Sequence, residues 1–535
     1  MIIHFLIQFF ILPVMASSIC SNSFNVKTYS QVLTDPLLEE IRSLRIVDDF
    51  MALADLVPRN LTTTQIEKIQ IESQQVEIKK GRVEALKFLL AKTYRPANEL
   101  KPVSLRELDP KWTIESIKFQ TLFNYIEKTW VDLIRKTPKK TKSTLIPLPN
   151  PMMIPGSRFK ESYYWDSFFA MPTLLKTGRS NIVKMTIDNF LFLVKKYGFV
   201  PNGNREYYLS RSQPPFLSQM IRLYIEHQAL AAPLDVKTME WLRKKAYPLV
   251  KAEYQKFWMN PKTRYDIKTA LNHHYDDLNT PRPERHSTDA DEVLAKTFRD
   301  ARAEAESGKD FTDAFGGEAT QVAGVLLNSV LFQVEHDLLW MARLLDKADD
   351  ARHFEQAAEK RKLSMNTYLW DEKQGGYFDF NLRSNQKGNV LTADIYAPMY
   401  VGAASPEQAR SLLALLPMLE RKGGIASSNI SSGKQWDFPY GWAPHHFMSI
   451  SGLLKYGYIN DATRLGEKWV ESNLRIYEAS TKLIEKIDVV TGSLPEERGD
   501  KYPTQEGFLW TNGVVAWVLT DVLGIPLVPL ESRKP

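Results

Sequence analysis

Two stretches of the chain set ionisable side chains among large rings, the composition of a site that grips a polar ligand built of rings. The first, "PGSRFKESYYWDSFF" from Pro155 to Phe169, places Arg158, Glu161 and Asp166 among Phe159, Tyr163, Tyr164, Trp165, Phe168 and Phe169. The second, "QWDFPYGWAPHHF" from Gln435 to Phe447, carries Trp436, Phe438, Tyr440, Trp442 and Phe447, with Pro439 and Pro444 breaking any continuous helix. If "WDFPYGW" is extended, alternation sends its four rings one way and Asp437 and Gly441 the other. Sugars stack their axial C–H groups on such a wall, and a nearby carboxylate or amide fixes their hydroxyls. Each stretch alone has a plainer reading, as an aromatic cluster packing a loop onto helices or an Arg–carboxylate pair closing one.

Together, the two stretches resemble the paired signatures of the trehalase family of glycoside hydrolases, P-G-G-R-F-x-E-x-Y-x-W-D and Q-W-D-x-P-x-G-W-A-P. Further matches follow in the family's order: "LIPLPNP" at 145–151, "PNGNREYYLSRSQPP" at 201–215, "TPRPER" at 280–285, "AESGKDF" at 305–311, "EKID" at 485–488 and "YPTQEGFLWTNG" at 502–513. The resemblance implies an all-α fold, an (α/α)6 barrel whose long loops at one end enclose α,α-trehalose, which is hydrolysed to glucose with inversion at the anomeric carbon. It implies Asp310 as general acid and Glu485 as general base. Carried over position by position, the sugar-binding residues are Arg158, Trp165, Asp166, Asn202, Arg211, Ser212, Gln213, Arg282, Pro283, Glu284 and the backbone at Gly308. No metal and no organic cofactor is expected, and the expected partner is the disaccharide alone, bound by a monomer.

These residue types suit that chemistry. An inverting glycosidase needs one protonated carboxylic acid for the leaving oxygen and one carboxylate to deprotonate a water on the opposite face, about 6.5–9.5 Å apart. Asp310 and Glu485 are far apart in the chain, so the fold must bring them together. Arginines offer several fixed donors to hydroxyls and hold nearby carboxylates ionised, while a desolvated acid keeps its proton.

The match departs from the family at a few places. Lys309 precedes the acid where a Trp is usual, with "TDAF" following where a Ser-Ser-Arg-Trp type sequence is typical; a lysine facing the acid would weaken it as a proton donor. Lys501 replaces a Glu expected to contact substrate, Leu509 replaces a Gly, and Ser157 replaces the second Gly of the first signature. "SLPEERGD" at 493–500 replaces a glycine-rich lead-in, where a lid would be expected. Beside a working trehalase, these departures leave open a related glycosidase taking another disaccharide, or a sugar-binding descendant that does not hydrolyse. "HHYDD", His273 to Asp277, is read as structural, since adjacent histidines point apart and no second cluster answers them.

The elements that must position these residues are helices. Apolar residues recur at three and four in "DPLLEEIRSLRIVDDFMALADL" and "IKFQTLFNYIEKTWVDLI", so 30–135 reads mostly as helix. In "VLLNSVLFQVEHDLLWMARLL", Leu327, Leu331, Val334, Leu338, Met341 and Leu345 share a face, with Asn328 and Glu335 outside the stripe. Further helices are expected near 183–196, 216–230, 238–258, 351–368, 406–416, 445–457, 461–476 and 513–523, with few and short strands. Long irregular segments at 145–166, 199–216, 271–291, 306–320, 421–444 and 482–512 hold the motifs, as functional loops do.

The totals fit one large globular domain: 535 residues, 44% hydrophobic and 25% charged. The net charge of +6 is spread along the chain, and the densest basic run, Arg135 to Lys142, contains Pro138 and small polar residues, so no nucleic-acid footprint is read. Cys20 is the only cysteine, which excludes an internal disulfide and a cysteine-ligated metal cluster. The apolar run "MIIHFLIQFFILPVMASSIC" ends in small residues, so 1–18 is read as a signal peptide and 19–535 as a single catalytic domain with an N-terminal helical extension. Periplasmic or secreted location follows, with no membrane span in the mature chain.

Overall fold

The computed structural model describes residues 36–44, 46–47, 50–97, 99–156, 158–284, 295–496 and 504–530. The expected leader at 1–18, Cys20, Ser157, Lys501 and the end of "SLPEERGD" lie outside the described residues.

The chain divides into two compact units. The first spans residues up to Glu99 together with Thr141–Leu145 and the described part of 282–288. Its helices are Pro36–Ser43, Phe50–Ala54, Thr63–Lys80 and Arg82–Thr93. A capping box formed by Thr62 and Gln65 opens the third, satisfying backbone donors that the first turn leaves unpaired. Leu38, Ile41, Leu53, Leu86 and Tyr94 form its small core, and Leu56–Pro58 pairs antiparallel with Tyr94–Pro96.

The second unit is an (α/α)6 barrel. Six inner helices, Met171–Lys176, Leu217–Ala231, Val325–Leu344, Ala397–Val401, Ala443–Lys455 and Leu509–Trp517, contact one another in sequence, and the last packs on the first to close the ring. Each inner helix is preceded in the chain by one of the outer helices Gln120–Asp132, Ser180–Tyr197, Val236–Trp241 with its continuation to Trp258, Ala348–Ser364, Pro406–Leu419 and Ile459–Ser480. Closure depends on Gly513, because a Cβ there would stand 2.5 Å from the Ala170 Cα and 2.6 Å from the Phe169 carbonyl.

The expected helices near 183–196, 216–230, 238–258, 351–368, 406–416, 445–457, 461–476 and 513–523 are all present, within a few residues of their expected ends. Two expectations are corrected. Residues 94–119 contain only short strands and a single 3-10 turn, since Pro96, Pro102 and Pro110 interrupt any helix. In Val325–Leu344, Asn328 and Glu335 are buried as fully as the apolar stripe, because an inner helix has neighbours on every side. Arg361 of the outer helix reaches both, at 2.9 Å each, and so ties the two layers. The second correction concerns "WDFPYGW". Only Tyr440–Trp442 is a strand, the Phe438–Pro439 peptide is cis, and Trp436 folds back to stack on Trp442, with centroids 4.1 Å apart and planes at 3°. The rings form a packed knot in place of a wall.

Candidate active site

The motif loops of the barrel converge on three carboxyl groups: Asp166, Asp310 and Glu485. Asp166 is buried, its Oδ2 has no hydrogen-bond partner among the described residues, and the charges of both Asp310 and Glu485 act on it. Burial, with those two like charges added, pushes its carboxyl up to about 8, against the hydrogen bond from Gln213.

Glu485 stands just before the strand Lys486–Asp488, which pairs antiparallel with Tyr440–Trp442. Its backbone is pinned on both sides: the N–H donates to the Gln505 carbonyl at 3.0 Å, and its carbonyl accepts from the Trp510 indole at 3.0 Å. The side chain is 1% exposed and takes a 3.0 Å hydrogen bond from the Lys486 ammonium. Burial pushes its carboxyl above the usual range, while Lys486 and, more weakly, Arg158 draw it down. Arg158 is half-buried in the first signature loop and donates its backbone N–H to the Gln505 side chain at 3.1 Å.

Asp310 is half-buried and follows a turn that only glycine can make. Gly308 has φ +77°, and a Cβ there would meet the Trp165 ring at 2.6 Å. The turn ends the helix Phe298–Glu306, an element that sequence reasoning missed. Its buried residues include Asp300, Arg302, Glu304 and Glu306, so no apolar stripe marks it. The Thr297 cap, accepting from the Asp300 N–H, was the available signal. Glu304 then accepts the Thr312 N–H at 2.7 Å, fixing the chain just past the acid. Asp437 accepts from Thr312, Asp313, Ser428 and Ser432, so this signature carboxylate clamps the acid loop to the second motif. Glu161 likewise serves the scaffold, bound by Arg205 at 2.6 Å.

Lys309 is buried and extends to Asp394. Burial opposes its charge, but Asp394 and then Asp379 hold the ammonium above its ordinary value.

The other expected binding residues fall into two groups. Trp165, Asn202, Arg211, Ser212 and Gln213 are buried side by side. Gln213 accepts the Trp165 N–H at 3.3 Å, and Arg211 donates to Asn202 at 3.0 Å and lies 3.6 Å from Asp276. The Ser212 hydroxyl donates to the Val200 carbonyl at 2.6 Å, and its N–H to Glu306 at 2.9 Å. Arg282, Pro283 and Glu284 belong to the first unit, Arg282 and Glu284 buried and Pro283 half-buried. His274 of "HHYDD" bonds Glu306 at 3.3 Å, and Asp276 pairs with Arg211 and Arg302, so these side chains serve the scaffold.

The Trehalase family matches the chain over residues 45–522. The periplasmic trehalase of Escherichia coli O1:K1 / APEC is 32% identical over 517 residues, covering 91% of this chain and 86% of that protein. That of Shigella flexneri is 31% identical over the same shares. Among solved structures, the neutral trehalase of Saccharomyces cerevisiae superposes with a TM-score of 0.61 at 27% identity, over 69% of this chain and 73% of that one. A mannosylglycerate hydrolase from Thermus thermophilus, at 17% identity and a TM-score of 0.52, covers 68% of this chain and 95% of its own, a likeness of fold alone. Among the described residues no helix is long and apolar enough to cross a membrane.

Proposed function

The chain belongs to the trehalase family of glycoside hydrolases, and from that premise we propose that it hydrolyses α,α-trehalose to two glucose molecules by an inverting mechanism. Asp310 gives its proton to the bridging oxygen as the bond from that oxygen to the anomeric carbon breaks. Glu485 takes a proton from a water whose oxygen bonds to the same carbon from the opposite face. Trp165 offers a ring face, and Arg158, Asp166, Asn202, Arg211 and Gln213 supply hydroxyl partners. Ser212 and Gly308 shape the backbone around them. By analogy with its periplasmic relatives, the protein works outside the cytoplasm, as a monomer released from its leader.

The single observation that most supports this assignment is the pull of both Asp310 and Glu485 on the buried Asp166 carboxyl, since two groups so distant in sequence bear on one point. Purified protein given trehalose should release glucose. Asp310→Asn and Glu485→Gln should each cut kcat by about a thousandfold or more while calorimetric binding of trehalose persists. Unchanged turnover in either variant removes that residue from its role. Tight binding with no glucose released by the wild type over hours would make the protein a sugar-binding descendant.

A further inference from the structure

The residue after Glu485 takes no proton in the scheme above, yet it is among the most deeply enclosed charges in the barrel. Lys486 is 0% exposed. Its ammonium donates to Glu485 Oε1 at 3.0 Å and to the side-chain oxygen of Gln435 at 3.2 Å. The amide nitrogen of Gln435 donates in turn to the backbone carbonyl of Asp310. One unbroken path of hydrogen bonds therefore runs from carboxylate to ammonium to amide to the carbonyl of the other carboxylate's residue.

The second signature holds this path in place. Trp442 faces Lys486 across the antiparallel pair and donates its indole N–H to the Gln435 carbonyl at 2.8 Å. The Lys486 ammonium lies 5.4 Å from the centre of the Trp442 ring and 6.0 Å from that of Tyr440, within reach of a cation–π attraction. The Trp436 N–H donates to the Phe311 carbonyl at 3.0 Å, adding a second tie between this motif and the acid loop. Successive residues in extended chain send their side chains to opposite faces. The contact between the neighbours Glu485 and Lys486 is therefore made by these tertiary partners, which bring the ammonium round to the carboxylate.

We propose that Lys486 and Gln435 are positioning residues that fix the separation of the two reacting carboxyl groups and keep the base ionised, Lys486 through its charge and Gln435 by fastening that charge to the acid loop. The inference rests on the assignment of Asp310 and Glu485 as acid and base. A base that must take a proton from water has to be charged. The groups acting on Glu485 are Lys486 and Arg158, which favour the charged form, and the Gln505 backbone; Asp166, itself raised by the charge of Glu485, keeps its proton up to about 8. With Lys486 neutral, burial is opposed by Arg158 and that backbone contact alone.

The test is a pH series on three variants. Lys486→Met should move the acid-side limb of kcat/KM to higher pH by about one unit or more, the effect of one contacting opposite charge. At pH 6 its kcat should fall about tenfold or more, with KM within about threefold and recovery as pH rises. Lys486→Arg keeps the charge and should keep the limb. Gln435→Met keeps the charge but cuts the tether, so kcat should fall while the limb stays. Infrared difference spectra against Glu485→Gln, recorded from acid to neutral pH, read the Glu485 carboxylate without any turnover. That titration should also move upward in Lys486→Met. Failure of the wild type to cleave trehalose would sink the proposed function and leave this titration to decide the inference. A wild-type Glu485 titration in Lys486→Met would overturn it, reducing Lys486 to a space-filling role. If Lys486→Met does not fold by circular dichroism, a shifted limb in Lys486→Arg or an unchanged kcat in Gln435→Met overturns it instead.

Discussion

The ammonium of Lys309 rests on the carboxylate of Asp394, with 5% and 1% of the two side chains exposed. His445 approaches the other oxygen of Asp394 at 3.2 Å, and the charges of Asp379 and Asp437 also bear on the lysine. The cation that precedes Asp310 in the chain is thus matched by carboxylates of its own. Lys309→Met leaves Asp394 as a buried charge without its cation, and should cost about 3–5 kcal/mol of stability in denaturant titrations. Lys309→Met with Asp394→Asn should recover much of that loss. Equal stability of wild type and the single variant would show that the pair contributes nothing.

Glu253 gives a pH-dependent prediction with a definite sign. It is buried, accepts from the Val200 N–H and the Tyr164 hydroxyl, and burial raises its carboxyl to about 7. An unfolded glutamate titrates near ~4.3, so between that value and about 7 the folded chain holds the extra proton and stability falls as pH rises. Glu253→Gln removes the titration. Its unfolding midpoint should match the wild type at pH 4 and exceed it increasingly up to pH 8. Parallel curves across that range would rule the effect out.

Gly308→Ala tests the turn before the acid. The positive φ alone costs an alanine about 1–2 kcal/mol, and the new methyl must displace Trp165 from a 2.6 Å contact. The melting temperature should drop and kcat/KM should fall at least about tenfold, the scale on which a misplaced reacting group is felt. An alanine variant with wild-type kinetics would show that the turn has no part in placing Asp310.

The candidate residues were legible through the family resemblance, whose motifs are local strings: "WDSFF", "ESGKD" and "EKID" name residues without any knowledge of what lies opposite them. Most of the helices were legible from apolar residues recurring at three and four, while their closure into a barrel was an implication of the family resemblance. Illegibility began where burial and polarity part company. Phe298–Glu306 buries charges, Arg361 binds Asn328 and Glu335 across layers, and the rings of "WDFPYGW" fold on one another through a turn. In the same way, "EKID" displays Lys486 but not Gln435 at its ammonium, a partner supplied by a distant loop.

The most direct measurement is proton NMR of the glucose anomers in the first moments after the protein meets α,α-trehalose, before mutarotation mixes them. Attack by water on one anomeric carbon from the face opposite the leaving oxygen yields one β-glucose, while the departing sugar keeps its α configuration. Equal initial amounts of α and β are expected from Asp310 and Glu485 acting across the bond. Release of α-glucose alone would contradict that arrangement.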